Sequence, residues 1–210
     1  MTPPPEPIVH IVDDDEPVRD SLSLLFYSVG LETKTYASAA DFLARCDFGR
    51  PGCLILDIRM PGMSGLDLQK ELIKRKIYLP IIILTGHGEI PMAVTALKLG
   101  ASDFLEKPYN DQRLIDSVQY AIDQGNRERN VREAMAQSRA CFKQLSKRER
   151  DVMKLVVAGE PNKVIAAHLG ISPRTVEIHR HNVMEKFRSR SLSDLVRKTL
   201  LLGVDADVEE

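Results

Sequence analysis

The chain has 210 residues, room for two ordinary domains but not three, and its 43% hydrophobic and 28% charged content is that of a globular protein, not of a disordered or fibrous one. The net charge of -1 hides a division: residues 1–125 carry 12 basic and 18 acidic side chains, residues 142–203 carry 13 and 6. An acidic first part suits a cation and a basic second part suits a polyanion such as DNA, while the lack of any apolar run near ~18 residues excludes a membrane span.

In chain order, short apolar runs occur at 8–12, 53–56, 80–84 and 103–105, separated by segments of helical periodicity. Val18, Leu22, Leu25, Phe26 and Val29 share one helical face, and 32–37 alternates like a further strand. Segments 66–76, 91–99 and 111–123 supply the last three helices. This alternation predicts a doubly wound α/β domain of (βα)5 type over residues 1–125. Residues 126–141 are charged and helix-prone with few apolar positions, a helical linker. Gly125-Asn126 would stop a helix, yet a longer helix tolerates the pair, so both readings stay open.

Four short helices follow, giving an all-α domain at 142–203. Ser146-Lys147-Arg148-Glu149 is a capping-box sequence that opens the first, which ends at Gly159. The second covers 162–169, Gly170 makes a turn, Ser172 caps the third and Pro173 takes its first position. The last covers 192–202, before an acidic tail at 204–210. The amino-terminal MTPPPEP lacks the apolar core of a signal peptide, so a cytoplasmic protein is expected. Cys46, Cys53 and Cys141, widely spaced and without a CxxC pair, are expected to be reduced packing residues.

Ligands of open parallel sheets bind beyond the carboxyl ends of the strands. There the sequence places Asp13, Asp14 and Asp15 after the first strand, Asp57 after the third, Thr85 after the fourth and Glu106-Lys107-Pro108 after the fifth. Crowded carboxylates repel unless a cation sits among them, and all-oxygen ligation suits Mg²⁺. With charge neutralised, one carboxylate can attack phosphorus, while Lys107 and Thr85 contact phosphoryl oxygens.

IVDDDEPVR, LDIRMPGMSG, LTGHGEIPMAV and DFLEKPY resemble the boxes of CheY-like response-regulator receivers, specifically the FixJ subgroup. The resemblance implies that Asp57 is the phosphoacceptor, that Asp13, Asp14 and Asp57 hold Mg²⁺ with the Arg59 backbone carbonyl, and that Thr85 and Phe104 form a switch pair. It also implies that Lys107 contacts phosphate, that the Lys107-Pro108 bond is cis, and that the fourth helix, fifth strand and fifth helix form a dimer surface. Asp15, Glu16 and Glu106 are expected to be cap and turn residues, and His87 a loop histidine without a catalytic task.

In the third carboxyl-terminal helix, Val176, His179, Val183 and Phe187 share a face that should be core. The opposite face carries Arg174, Glu177, Ile178, His181 and Glu185, with Arg180 and Lys186 flanking the core stripe. That is the layout of a helix in a DNA groove, with hydrogen-bonding groups towards bases and cations at the margins. LSKRERDVMKLVVAG, EPNKVIAAHLGIS and PRTVEIHRHNVMEKF resemble the LuxR-type helix-turn-helix common to NarL and FixJ regulators. By that resemblance Glu177, Ile178 and His181 face bases, while Lys163, Thr175, Arg180 and Lys186 hold the backbone. Many relatives carry lysine where this chain has Glu177 and His181, so base readout should differ; a glutamate accepts from cytosine N4.

The implied activity is phosphotransfer from a sensor histidine kinase to Asp57, homodimerisation, binding to a near-palindromic promoter site and activation of transcription with RNA polymerase. A haloacid-dehalogenase-type phosphatase needs a second acid two residues after its nucleophile, where this chain has Arg59, so no enzyme beyond self-phosphotransfer and slow autodephosphorylation is expected. The remaining alternative is a regulator that binds DNA regardless of phosphorylation, with its receiver as a dimer scaffold.

Overall fold

The computed structural model describes residues 5–86 and 90–202. His87 and the acidic tail lie outside the described residues. The chain divides into two compact units, Met1–Glu128 and Arg129–Glu210.

The first unit is a five-stranded parallel sheet in the order β2-β1-β3-β4-β5. Its strands are β1 (Ile8–Val12), β2 (Glu32–Tyr36), β3 (Gly52–Asp57), β4 (Ile81–Thr85) and β5 (Asp103–Glu106). The three central strands, β1, β3 and β4, are buried on both faces, which is why they read as unbroken apolar runs. Their alternate residues build two cores. Val9, Ile11, Cys53, Ile55, Ile82 and Leu84 meet helix α1 (Glu16–Ser28) and the first turns of α5 (Asp111–Lys143). Val12, Leu54, Leu56, Ile81 and Ile83 meet α2 (Ala39–Arg45), α3 (Gly65–Lys74) and α4 (Ile90–Lys98). Burying both faces points every strand's carboxyl end to one rim, which concentrates polar groups there.

Of the two readings left open for residues 125–126, the continuous helix holds: α5 runs unbroken through Gly125-Asn126. Gly125 is kept by packing rather than by a turn, since a β-carbon there would lie 2.5 Å from the Pro80 ring.

His10 on β1 is only 1% exposed, with its ring Nδ1 3.2 Å from the Tyr36 hydroxyl and its ring nitrogens 3.8 and 3.9 Å from the Cys46 sulfur. Burial, then Lys34 and Arg50, hold its imidazole down to about 4, against smaller opposing effects of Asp47 and Glu32. Because the folded-state value lies below 6.5, this stabilisation is complete above that pH and is lost as pH falls towards 4. The native chain should lose roughly 3 kcal/mol more than His10→Gln over that interval, read as converging melting temperatures. Parallel melting curves down to pH 4 would contradict a buried neutral imidazole.

The second unit holds α6 (Lys147–Val157), α7 (Asn162–Leu169), α8 (Pro173–Lys186) and α9 (Leu192–Leu200). Each boundary has a local cause. Ser146 and Glu149 form the capping box of α6, Gly170 ends α7 in the left-handed region at φ +65°, and the Ser172 and Ser191 hydroxyls accept from Thr175 and Asp194 N–H groups. The core is built from Leu145, Val152, Met153, Val156, Ile165, Val176, Val183, Phe187 and Leu195. The last helix ends two residues earlier than its apolar spacing predicts, because Thr199 and Leu202 are drawn into a closing turn in which the Leu202 amide donates to the Thr199 carbonyl. Among the described residues no helix is long and apolar enough to cross a membrane, and all three cysteines are free.

Candidate functional site

Asp57 closes β3 and is 8% exposed; Asp13 follows β1 directly and is 2% exposed. The Lys107 ammonium reaches across from the end of β5 and donates to both, at 2.6 Å to Asp57 Oδ1 and 2.8 Å to Asp13 Oδ2. Each acid's other oxygen takes a backbone amide: Arg59 N–H donates to Asp57 Oδ2 at 2.7 Å and Asp15 N–H to Asp13 Oδ1 at 2.9 Å. One cation thus serves two buried carboxylates. Burial raises the Asp57 carboxyl above its ordinary range, with Lys107 opposing and Asp13 adding to the rise. For Lys107, burial alone would lower the ammonium, but its hydrogen bonds to Asp13 and Asp57 prevail and raise it. Desolvation beside a second acid favours a further cation at this carboxylate, and a carboxylate so neutralised can act as a nucleophile.

Neighbouring strands complete the rim. Thr85 ends β4 and is fully buried; its hydroxyl donates to the Gly86 carbonyl at 3.3 Å and its own carbonyl accepts from Lys107 N–H at 2.8 Å. Phe104 pairs with Ile83 in the sheet and packs half-buried on the core beneath α4. The Lys107-Pro108 bond is cis, as the resemblance implies.

The structure brings Asp13, Asp57 and Lys107 together but leaves the Asp14 side chain exposed and apart from their hydrogen bonds. Among the described residues no three acidic, histidine or cysteine side chains are gathered as a metal cage, and Lys107 bridges the two buried acids. The donor chemistry still fits a hard divalent ion: two carboxylates with one shared cation, beside an exposed third acid and the Arg59 main chain. Gly65, the last residue of the LDIRMPGMSG box and given no role in the sequence reading, starts α3 against this site. Its amide donates to the Ile58 carbonyl at 2.9 Å, and a β-carbon would lie 2.3 Å from the Asp57 carbonyl oxygen. Its spacing from Asp57 carries no signal, since only the close approach of two backbones demands glycine.

In the second unit, Arg174, Glu177, Ile178, His181 and Glu185 are exposed along α8, opposite buried Val176, Val183 and Phe187. Lys163 is exposed on α7. Three residues expected at a DNA backbone have polar contacts of their own. The Thr175 hydroxyl lies 2.8 Å from that of Ser172 in the α8 cap, Arg180 donates to Asn162 Oδ1 at 2.8 Å, and Lys186 donates to Glu149 Oε2 at 2.6 Å. For Lys186 the partner is the buried Glu149 of the same unit, while the lysine side chain itself stays 34% exposed. Burial would raise the Glu149 carboxyl, but Lys186 and the Ser146 amide and hydroxyl lower it to about 2. The pairing therefore stabilises the unit above the ordinary value of 4.5 and fades as pH falls towards 2. Glu149→Gln should cost about 1–3 kcal/mol at neutral pH, measured by urea unfolding, and its difference from the native chain should shrink at low pH. Lys198, also missed in the sequence, caps the carboxyl-terminal end of α8 by donating to the Phe187 and Arg188 carbonyls at 2.9 and 3.1 Å.

Comparison with known proteins agrees with both halves. Residues 9–119 match the response regulator receiver domain and residues 143–199 the luxR family of bacterial regulatory proteins. The chain is 47% identical to Nodulation protein W of Bradyrhizobium diazoefficiens over 203 residues, covering 97% of this chain and 89% of that one. It is 49% identical to transcriptional regulatory protein FixJ of Rhizobium meliloti over 196 residues, covering 93% and 96%. Among solved structures, response regulator StyR superposes with a TM-score of 0.84 at 42% identity, covering 93% of this chain and 99% of that one. Joining a receiver, with its buried acids and lysine, to a luxR-family helical unit, this chain belongs to the two-component response regulators that control transcription.

Proposed function

We propose that Asp57 accepts a phosphoryl group from the phosphohistidine of a sensor kinase and that this raises affinity for a near-palindromic promoter site. The observation that carries the reading is the buried Asp57 carboxylate, raised by desolvation and sharing Lys107 with Asp13. An Asp57 oxygen attacks phosphorus, the phosphorus–nitrogen bond breaks, the imidazole leaves and takes a proton, and an acyl phosphate results. Receiver domains generally bind Mg²⁺ at this site; here Asp13, Asp14, Asp57 and the Arg59 carbonyl would hold it, supplying positive charge against the phosphoryl oxygens. Lys107, already within reach of Asp57, hydrogen-bonds the transferred group.

The new oxygens draw the Thr85 hydroxyl from the Gly86 carbonyl, and Phe104 moves into the space left behind. A change from 1:99 to 99:1 in active population takes roughly 5.5 kcal/mol of differential stabilisation, within reach of charged hydrogen bonds combined with dimer contacts. The homodimer offers two α8 helices to half-sites about one DNA turn apart, with Glu177, Ile178 and His181 towards bases, Arg174 on the same exposed face, and Lys163, Thr175, Arg180 and Lys186 along the backbone. RNA polymerase is the further partner, the site of action is the cytoplasm, and the chain performs no turnover beyond its own phosphotransfer and slow dephosphorylation. Arg59 supports this last point, since it stands where a hydrolase would need an acid.

The test is incubation with acetyl phosphate and Mg²⁺ followed by mass spectrometry. A phosphoryl group on the peptide containing Asp57, absent from Asp57→Asn, is the expected result; an unmodified peptide would refute the proposal.

A further inference from the structure

A cavity of about 440 Å³ lies wholly within the second unit, between the last turns of α5 and the carboxyl-terminal end of α8. Its volume is in the range of small-molecule sites, roughly 300–1,000 Å³. Its wall includes Ser138, Cys141, Lys186, Phe187, Arg188 and Lys198, and no acidic side chain among the described residues.

Ser138 is 4% exposed, and no hydrogen bond joins its hydroxyl to any described residue. A hydroxyl on the cavity wall with no partner among the described residues is open to a hydrogen bond from a ligand there. The three cations are unequal. Lys186 is paired with Glu149 at 2.6 Å and Lys198 with Asp194 at 3.0 Å, whereas Arg188 has no acidic partner among the described residues. Arg188 also sits in the left-handed region at φ +48°, just past the end of α8. Its amide donates to the Glu185 carbonyl and the Ser189 amide donates to that of Met184, a turn in which glycine costs least. An exposed arginine at a glycine-favouring position, on the same cavity wall as the Ser138 hydroxyl and without an acidic partner among the described residues, is able to bind an anion.

From this we infer that the cavity is a binding site for a small organic anion: a carboxylate taken by Arg188 and Ser138, on a compact apolar body seated against Ala134, Cys141 and Phe187. A bare inorganic anion would leave that apolar wall unfilled, and a neutral body would gain no attraction from the arginine. Bound there, the ligand touches the last turn of α8 and gives the DNA-binding unit an input separate from Asp57.

Cys141 in the cavity wall supplies the readout. Burial pushes the Cys46 thiol up to about 11 and the Cys53 thiol up to about 12, so mild alkylation near neutral pH falls chiefly on Cys141. The full chain is treated with iodoacetamide alone, then with millimolar benzoate, benzamide or inorganic phosphate, and labelling is followed by peptide mass spectrometry. The site predicts that benzoate slows labelling of Cys141 several-fold while benzamide and phosphate do not. Ser138→Ala and Arg188→Gln, each checked for a native melting curve, should lose the protection, and Asp57→Asn should keep it. Unchanged labelling with benzoate, equal protection by benzamide or by phosphate, or protection that survives in both variants overturns the inference. Because Asp57→Asn leaves the cavity intact, failure here and failure of phosphotransfer are read separately.

Discussion

With a small-molecule phosphodonor and Mg²⁺ present, affinity for an inverted-repeat operator should rise roughly 5- to 150-fold in the native chain and not at all in Asp57→Asn. The magnitude is that of a typical coupling between two sites, about 1–3 kcal/mol. The asparagine is close in shape and keeps an oxygen for the Arg59 amide, but it cannot form an acyl phosphate. Fluorescence anisotropy at fixed ionic strength is the measurement, since cationic contacts to DNA weaken steeply with salt. Equal affinities with and without phosphodonor in the native chain would favour a receiver that serves as a dimer scaffold, and the proposed coupling would fall.

The second large effect concerns Lys107. Its ammonium is the shared partner of two carboxylates whose side chains are 3% and 10% exposed, so Lys107→Met leaves two acids facing each other with little to neutralise them. Removing one member of a buried pair typically costs about 3–5 kcal/mol, and the lower end applies because the lysine is itself 27% exposed. The pH dependence follows from the directions of the shifts. Asp57 is raised above 3.8, so folding retains its proton more readily and gains as pH falls through that range. Without Lys107 this rise grows, and the variant should approach the native chain's stability below about pH 4. Lys107 itself is raised above 10.5, so the native pairing persists across neutral pH and is lost only as alkali passes its folded-state value. Millimolar Mg²⁺ should restore part of the loss in the variant and do less for the native chain, where Lys107 already supplies positive charge. Denaturant unfolding at pH 4 and pH 7, with and without the metal, reads all of this; a pH-independent deficit would mean lost packing instead.

Much of the fold was legible because both faces of β1, β3 and β4 are covered, which turns each into an apolar run with a polar residue at its end. The helical unit was legible for a different reason: Ser146, Gly170, Ser172 and Pro173 are boundary residues whose backbone roles show in their chemistry. What escaped depends on contacts between distant segments. The glycine inside α5 answers to the Pro80 ring, 45 positions earlier in the chain, and local sequence reads it as a possible stop, which left the linker undecided. The engagement of Lys186 with Glu149 joins the end of α8 to the start of α6, and helix periodicity gives no hint of it. His10 reads as one polar residue in an apolar strand until Tyr36 and Cys46 are brought against it.

Gly65 sets a condition on transplanting this pocket. Moving only the acids and the lysine onto another parallel α/β scaffold would fail wherever the helix after the nucleophile strand starts with a side chain, because that strand's terminal carbonyl leaves no room for even a methyl group. A successful graft must carry the glycine along with the charged residues, as steric clearance for the chemistry.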